Sequence, residues 1–356
     1  MRLSLRNKLI AVCFSTTLFT GLAIVFVIVI GGVPERAATA ALGTGLAISL
    51  FEEFYVQGRP GRWLRAMHPA KSIALYSLLI VVFAMTMMVA NRTLLGRFHG
   101  APVASELAHT MPPLQIVLPL LFVVAIAAIM TLRVVGYLGA RNLFYLMIGK
   151  YHRPVLERRI FLFLDIKGST ALVERLGPIE ARALIGKFFF DVSGPITDLG
   201  GEIYRFTGDG LVAVWDWRQG VVRNRIARAI DAIGDAVDRE ADYYRSKFGH
   251  VPDYRIGIHG GPIVTCEEGD TRRAIGFYGD TIHIAARLEQ KARELGIDCA
   301  LSGDVAEHQT GLGDRLRVIG DEPVRGIAEP IKVYELRRTK HAGPATVTPT
   351  SKGLEA

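Results

Sequence analysis

The chain has 356 residues, a formal net charge of +8, 50% hydrophobic residues and a mean hydropathy of +0.29, too apolar for an ordinary water-borne protein and long enough for two domains. Its three cysteines, Cys13, Cys266 and Cys299, have no metal-ligand spacing and are too few for a disulfide framework, which excludes a disulfide-stapled secreted domain and fits a reducing cytosol. The basic residues cluster beside apolar segments and form no aromatic-interleaved patch, so no nucleic-acid partner is expected.

The apolar excess lies almost entirely before residue 149. Residues 9–30 form an unbroken apolar run long enough to cross a bilayer, and no small-residue cleavage site follows it, so a retained anchor is expected rather than a signal peptide. Residues 72–90 and 114–132 are two further spans, and 37–51, short and rich in Ala and Gly, is the weakest of four. Cations decide the count. Arg2, Arg6 and Lys8 precede the first run; Arg59, Arg62, Arg65 and Lys71 separate the second from the third; Arg133 and Arg141 follow the last. Four crossings place all these clusters, both termini and everything after residue 134 in the cytoplasm, in a multi-pass protein of the inner (plasma) membrane. Arg92 and Arg97 fall outside as a mild exception. Residues 135–157 mix aromatics with cations up to Pro154 and read as a linker helix at the membrane interface.

The second half alternates short apolar runs with amphipathic ones. Residues 159–166 read as a buried strand ending on an acid, and 169–198 as helix with a break at Gly177-Pro178. Strands at 201–206 and 211–217 flank the turn Thr207-Gly208-Asp209-Gly210. Residues 220–248 read as one long helix, 254–259 and 262–266 as two strands around Gly260-Gly261, 274–278 as a short strand and 281–295 as helix. Strands near 315–319 and 331–336 close the domain, and 339–356 reads as a disordered tail. A βαββαβ pattern with a trailing hairpin predicts an α+β, ferredoxin-like antiparallel sheet with helices on one face.

Asp165 ends the first strand and runs straight into Ile166-Lys167-Gly168-Ser169-Thr170, where small residues let backbone N–H groups approach phosphate. Asp209 sits in the next hairpin turn. On adjacent strands the two carboxylates can stand side by side, a donor set suited to two divalent cations, Mg²⁺ or Mn²⁺, held jointly with a triphosphate.

The blocks FLDIKGST, GGEIYRFTGDGLVAVW, GIHGGPI, YGDTIHIAARLE and VRGIAEPIKVYEL, in that order, resemble the signature blocks of the class III adenylate and guanylate cyclases over residues 158–337. The Tyr151–Pro154 segment resembles a membrane-anchored bacterial subgroup. The resemblance implies that Asp165, Asp209 and the Ile166 carbonyl bind two metals, that Gly168, Ser169 and Thr170 meet the substrate's phosphates, and that Arg287 neutralises charge growing at the α-phosphate. It implies ATP as substrate, cyclic AMP and pyrophosphate as products, and a homodimer in which each site takes its metals from one chain and Arg287 from the other. Three positions depart from the common pattern. His283 stands where the family has a ribose-orienting Asn; Arg205 and Gly276 stand where adenylate cyclases carry a base-reading Lys and its partner Asp or Thr. These departures keep two alternatives open: a weak or inactive dimerising signalling module, and a cyclase of different purine preference. Lys332 and Arg325 both qualify as the cation for the outer phosphates, and any ligand of the membrane half is left open.

Overall fold

The computed structural model describes residues 148–339, except 271–272, 325–326 and 328, together with residue 145 and scattered positions between residues 9 and 86. The chain divides into two units, 1–148 and 149–356. In the first unit the described positions within 9–28, 42–50 and 71–86 are helical, and Phe51–Val56 forms a π-helical turn on which Phe51 and Tyr55 stack at 4.9 Å. Among the described residues no helix is long and apolar enough to cross a membrane. The expected span at 114–132 and most residues of those at 9–30 and 72–90 lie outside the described residues, as do residues 37–41 and 44 of the expected span 37–51, most of the expected linker helix and the tail from 340 onward.

The second unit is built on one eight-stranded sheet. Its strands are β1 (Val155–Ile166), β2 (Glu202–Thr207), β3 (Gly210–Asp216), β4 (Tyr254–Glu268), β5 (Ala274–Tyr278), β6 (Cys299–Ser302), β7 (Leu316–Glu322) and β8 (Ile331–Leu336). The order is β2-β3-β1-β4-β6-β8-β7, with β5 paired to β4, and every pair is antiparallel except β4–β6. The helices are α1 (Ser169–Leu176), α2 (Pro178–Asp198), α3 (Trp217–Val221), α4 (Arg225–Arg239), α5 (Ala241–Phe248), α6 (Asp280–Leu295) and the single turn α7 (Gly303–Ala306).

Alternation along β1 explains the layering. Ile160, Leu162, Leu164 and Ile166 point one way and pack with Phe188, Val192 and Ile196 of α2 and Ile226, Ile230 and Ile233 of α4. Phe161 and Phe163 point the other way and pack with Ala285 and Ile282 of α6. The expectation of helices on one face is therefore corrected: α6 covers the opposite face. Glycine makes that possible, because a Cβ on Gly257 would lie 2.1 Å from the Glu289 nitrogen and 2.6 Å from the Ala285 carbonyl oxygen.

Other boundaries shift for physical reasons. The long helix expected at 220–248 is three pieces, interrupted where Arg223 and Asn224 take positive φ. Asn224 is held there by its side chain, whose carbonyl accepts from the Thr310 N–H at 3.0 Å. Residues 254–268 form one continuous strand, not two, because Gly260 and Gly261 stay extended to admit Trp217 and Thr281, each within 3 Å of where a Cβ would be. β1 starts at Val155, where the buried Arg159 guanidinium ties Glu157 and the Tyr151 hydroxyl together and Thr265 of β4 donates to the same Glu157.

Candidate active site

Asp165 is the next-to-last residue of β1, paired across to Gly210 of β3 and Arg255 of β4. Asp209 occupies the β2–β3 turn, closed by the Thr207–Gly210 pair, with Gly208 at φ 63°. The turn lies hard against β1. A Cβ on Gly210 would meet the Leu164 carbonyl at 2.7 Å and the Asp165 carboxylate at 3.1 Å, so only glycine lets the two acids close up. The Ile166 N–H points at the Asp209 carbonyl, so the turn brings the Asp209 carboxylate near that of Asp165, close enough for each charge to be felt by the other. Half-burial and then the neighbouring Asp209 push the Asp165 carboxyl up to about 6, with Arg255 and Arg293 offsetting part of the rise.

The following turn completes the group. Gly168 adopts the left-handed conformation and its carbonyl accepts from the Leu172 N–H at 3.0 Å, starting α1. The Ser169 hydroxyl donates to the Asp209 carboxylate, the Ile166 N–H approaches the Asp209 carbonyl at 3.4 Å, and Thr170 lies in the first turn of α1. Lys167 anchors the loop from outside, its ammonium 2.9 Å from Asp253 and 2.6 Å from Asp298. Asp165, Ile166, Gly168, Ser169, Thr170 and Asp209 thus lie in one cluster.

Three contributors were not legible in advance. Glu289 of α6 lies close enough to Asp165 and Asp209 that burial and those charges raise its carboxyl above the usual range. Arg255 faces Asp165 across the strand pair, and the Arg182 guanidinium donates to the Gly208 carbonyl at 3.0 Å. Only the Arg255 pairing had a sequence signal, the antiparallel register of β1 and β4.

The cationic residues stand apart. Arg287 and His283 are one helical turn apart on α6, half-buried and exposed respectively, and neither bonds to Asp165 or Asp209 among the described residues. Arg205, exposed on β2, lies 4.9 Å over the Tyr204 ring and donates to its hydroxyl at 3.2 Å. Tyr204 in turn packs on Phe277 beside Gly276. A side chain at 276 would strike Glu268 and Tyr278, whose hydroxyl and carboxylate bond to each other. Lys332 lies on β8, 3.7 Å from Glu307, and Arg325 lies outside the described residues.

The donor set fits hard divalent cations. Two carboxylates lie close together, one raised in pKa by burial and then by the other, beside a turn of small residues; among the described residues no cluster of three or more His, Cys, Asp or Glu side chains could hold a metal ion. Such a partial shell suits Mg²⁺ or Mn²⁺, which fill their remaining positions with water and substrate phosphate oxygens.

"Adenylate cyclase 2" of Rhizobium meliloti (strain 1021) is 29% identical over 332 residues, 92% of this chain and 90% of that protein. The "Adenylate cyclase" of Anabaena cylindrica is 27% identical over 186 residues, so the chain spans only 37% of that longer relative. Among solved structures, a bacterial light-regulated adenylyl cyclase shares the fold at a TM-score of 0.55 and 21% identity, covering 64% of this chain and 67% of that one. The adenylate and guanylate cyclase catalytic domain matches residues 157–337, from β1 to the end of β8 and across half of the chain. The chain belongs to the class III adenylate and guanylate cyclase family.

Proposed function

We propose that this chain is a membrane-anchored adenylate cyclase whose active sites form between two copies of the catalytic unit. The observation that carries the shared site is the orientation of α6. Glu289 faces its own Asp165, and Arg287, two residues earlier, is turned about 200° away around the helix axis. Arg287 is therefore directed away from the acids of its own chain. A second copy brings its own acids to that face.

In each composite site Asp165, Asp209 and the Ile166 carbonyl hold two divalent cations, and Gly168, Ser169 and Thr170 offer backbone and hydroxyl donors to the triphosphate. When bound, Mg²⁺ or Mn²⁺ supplies the charge that acidifies the ribose 3′-hydroxyl and steadies departing pyrophosphate. Arg287 of the other copy neutralises charge developing at the α-phosphate. His283 lies one turn before Arg287 and hydrogen-bonds the ribose in place of the family's Asn. Arg205 donates to the base edge.

ATP is the substrate favoured by the relative named "Adenylate cyclase 2", whose similarity runs through the N-terminal half as well as the catalytic unit. Gly276, walled off by Glu268 and Tyr278, favours a second reading, a changed purine preference. Four spans at 9–30, 37–51, 72–90 and 114–132 anchor the protein, with both termini and the catalytic unit cytoplasmic. Exposed apolar side chains at helical positions, Ile28, Leu78 and Val82 among them, support lipid contact. The test is turnover by the purified full-length chain with ATP or GTP and Mg²⁺ or Mn²⁺. Cyclic AMP as the main product is expected. Cyclic GMP as the main product would overturn the substrate assignment, and no cyclic nucleotide under any condition would overturn the enzyme.

A further inference from the structure

Asp209 sits at the tip of a hairpin, and a hairpin tip is the most easily moved part of a sheet. Its partner Asp165 lies within the central strand β1, held on both sides by β3 and β4. The two acids must keep a fixed separation to share cations, so the tip needs support from outside the sheet. Helix α2 supplies it at two points, two turns apart on one stripe. Phe189 packs against Phe206 at 4.9 Å, below the turn. Arg182, seven residues earlier, donates to the carbonyl of Gly208, the residue immediately before Asp209. Its guanidinium also lies 5.9 Å from the Phe189 ring, so the two supports touch each other.

The rest of α2 explains why this stripe is stiff. Ile185, Phe188, Val192 and Ile196 bury its inner face against the sheet, and Ala181 and Leu184 pack with Leu172 of α1 and Tyr244 and Phe248 of α5. Arg182 stands at the border of that face, exposed, with no other hydrogen bond or ion pair among the described residues. An exposed arginine with one bond contributes little to folding. Its bond is nonetheless aimed at the one peptide whose rotation would swing the Asp209 carboxylate. Gly208 is also the residue at positive φ, where the backbone turns most freely.

We propose that Arg182 is a positioning residue for the Asp209 turn, fixing the Gly208 peptide so that Asp209 stays beside Asp165 and the pair is ready for divalent cations. The inference rests on the reading of Asp165 and Asp209 as metal-binding. It predicts a specific division of effects. Arg182→Ala leaves thermal stability close to that of the parent protein but weakens cation binding, because the tip samples orientations in which the two carboxylates do not converge. Losing a group that orients a metal ligand typically weakens binding by about tenfold. Arg182→Lys retains one donor of similar reach and recovers part of the loss.

The experiment titrates Mn²⁺ alone into the full-length chain, reading free Mn²⁺ by its electron paramagnetic resonance signal, and repeats the titration on Arg182→Ala, Arg182→Lys and Asp209→Ala. Melting temperature is measured on all four. The expected order of Mn²⁺ affinity is parent, then Arg182→Lys, then Arg182→Ala, with Asp209→Ala lowest and the melting temperatures of the two Arg182 variants near the parent's. An Arg182→Ala affinity within twofold of the parent overturns the proposal. Equal losses in the Ala and Lys variants accompanied by a lowered melting temperature also overturn it, because they assign Arg182 to folding. If Asp209→Ala itself binds Mn²⁺ like the parent, the metal assignment fails, and that result is separate from any outcome at Arg182.

Discussion

Asp165 and Asp209 lie close enough to feel each other's charge, share a neighbourhood with Glu289, Arg255 and Arg293, and are brought together where Gly210 leaves no room for a side chain. Arg287 is half-buried, His283 and Arg205 are exposed, none of the three bonds to that cluster among the described residues, and Arg205 rests on its own neighbour Tyr204. The acids are drawn together within a single chain, and the cations are not drawn to them. The acids need enforced closeness, since two carboxylates repel unless the backbone holds them together. A transition-state cation needs the opposite, freedom from its own chain's acids, because an ion pair in the resting protein would have to be broken for each turnover. The contrast fits the proposal that the two clusters are complementary halves of a site shared between copies.

The largest effect is expected at the acids. Asp165→Ala and Asp209→Ala each lower turnover by at least about 10³-fold while the dimer persists in sedimentation analysis, because each removes a charge that no other described ligand replaces. Near-normal turnover in either would remove the acid pair from the site. Arg287→Ala comes next, with a loss of about 10²–10³ in kcat, or about 2.7–4 kcal/mol, and an unchanged melting temperature. A fall in melting temperature with kcat preserved would instead tie Arg287 to its own chain.

The third effect is structural. Gly257→Ala drives a methyl group into the α6 backbone at Glu289 and Ala285, an overpacking that costs about 1–3 kcal/mol and lowers the melting temperature. Activity falls with it, since the same helix carries both Glu289 and Arg287. A variant as stable as the parent would show that α6 is not seated on β4 at this point.

The smallest effect is pH-dependent. The folded pKa of Asp165, about 6, lies above its ordinary value of 3.8, so its ionisation opposes folding. Stability from this group is complete below about pH 4 and is lost as pH rises through 6. Asp165→Asn removes that slope, and in chelator at pH 7 it raises the melting temperature by about 2 °C, since Asp165 is partly solvated and the repulsion is screened. Identical stability profiles for the variant and the parent would contradict the raised pKa that burial and then Asp209 give Asp165.

Part of this site was legible from residues alone. Asp165 and Asp209 stand out because each adjoins a run of small residues at a strand end or turn, a local signal. Glu289, Arg255 and Arg182 carry no such signal. Their roles come from strand register, from the close seating of α6 on Gly257 and from a helix–turn contact across 26 positions. The same limit explains the errors in the fold. Gly260-Gly261 looks like a turn, yet the pair remains extended because Trp217 and Thr281 need the space. The breaks after residues 221 and 239 lack proline, and the one at Asn224 is fixed by Thr310, far along the chain. The strand Cys299–Ser302 is too short to show a period, and its parallel pairing with β4 makes it a strand.

The most direct test of the shared site mixes two inactive proteins. Asp165→Ala and Arg287→Ala, each with a different affinity tag, are co-expressed, purified through both tags and assayed for cyclic nucleotide. In such a heterodimer one site carries both lesions and the other carries neither, so turnover per dimer returns to about half of the parent's, against at least about 10²-fold lower values for either homodimer. Confirmed heterodimers as inactive as the homodimers would contradict a site divided between two chains.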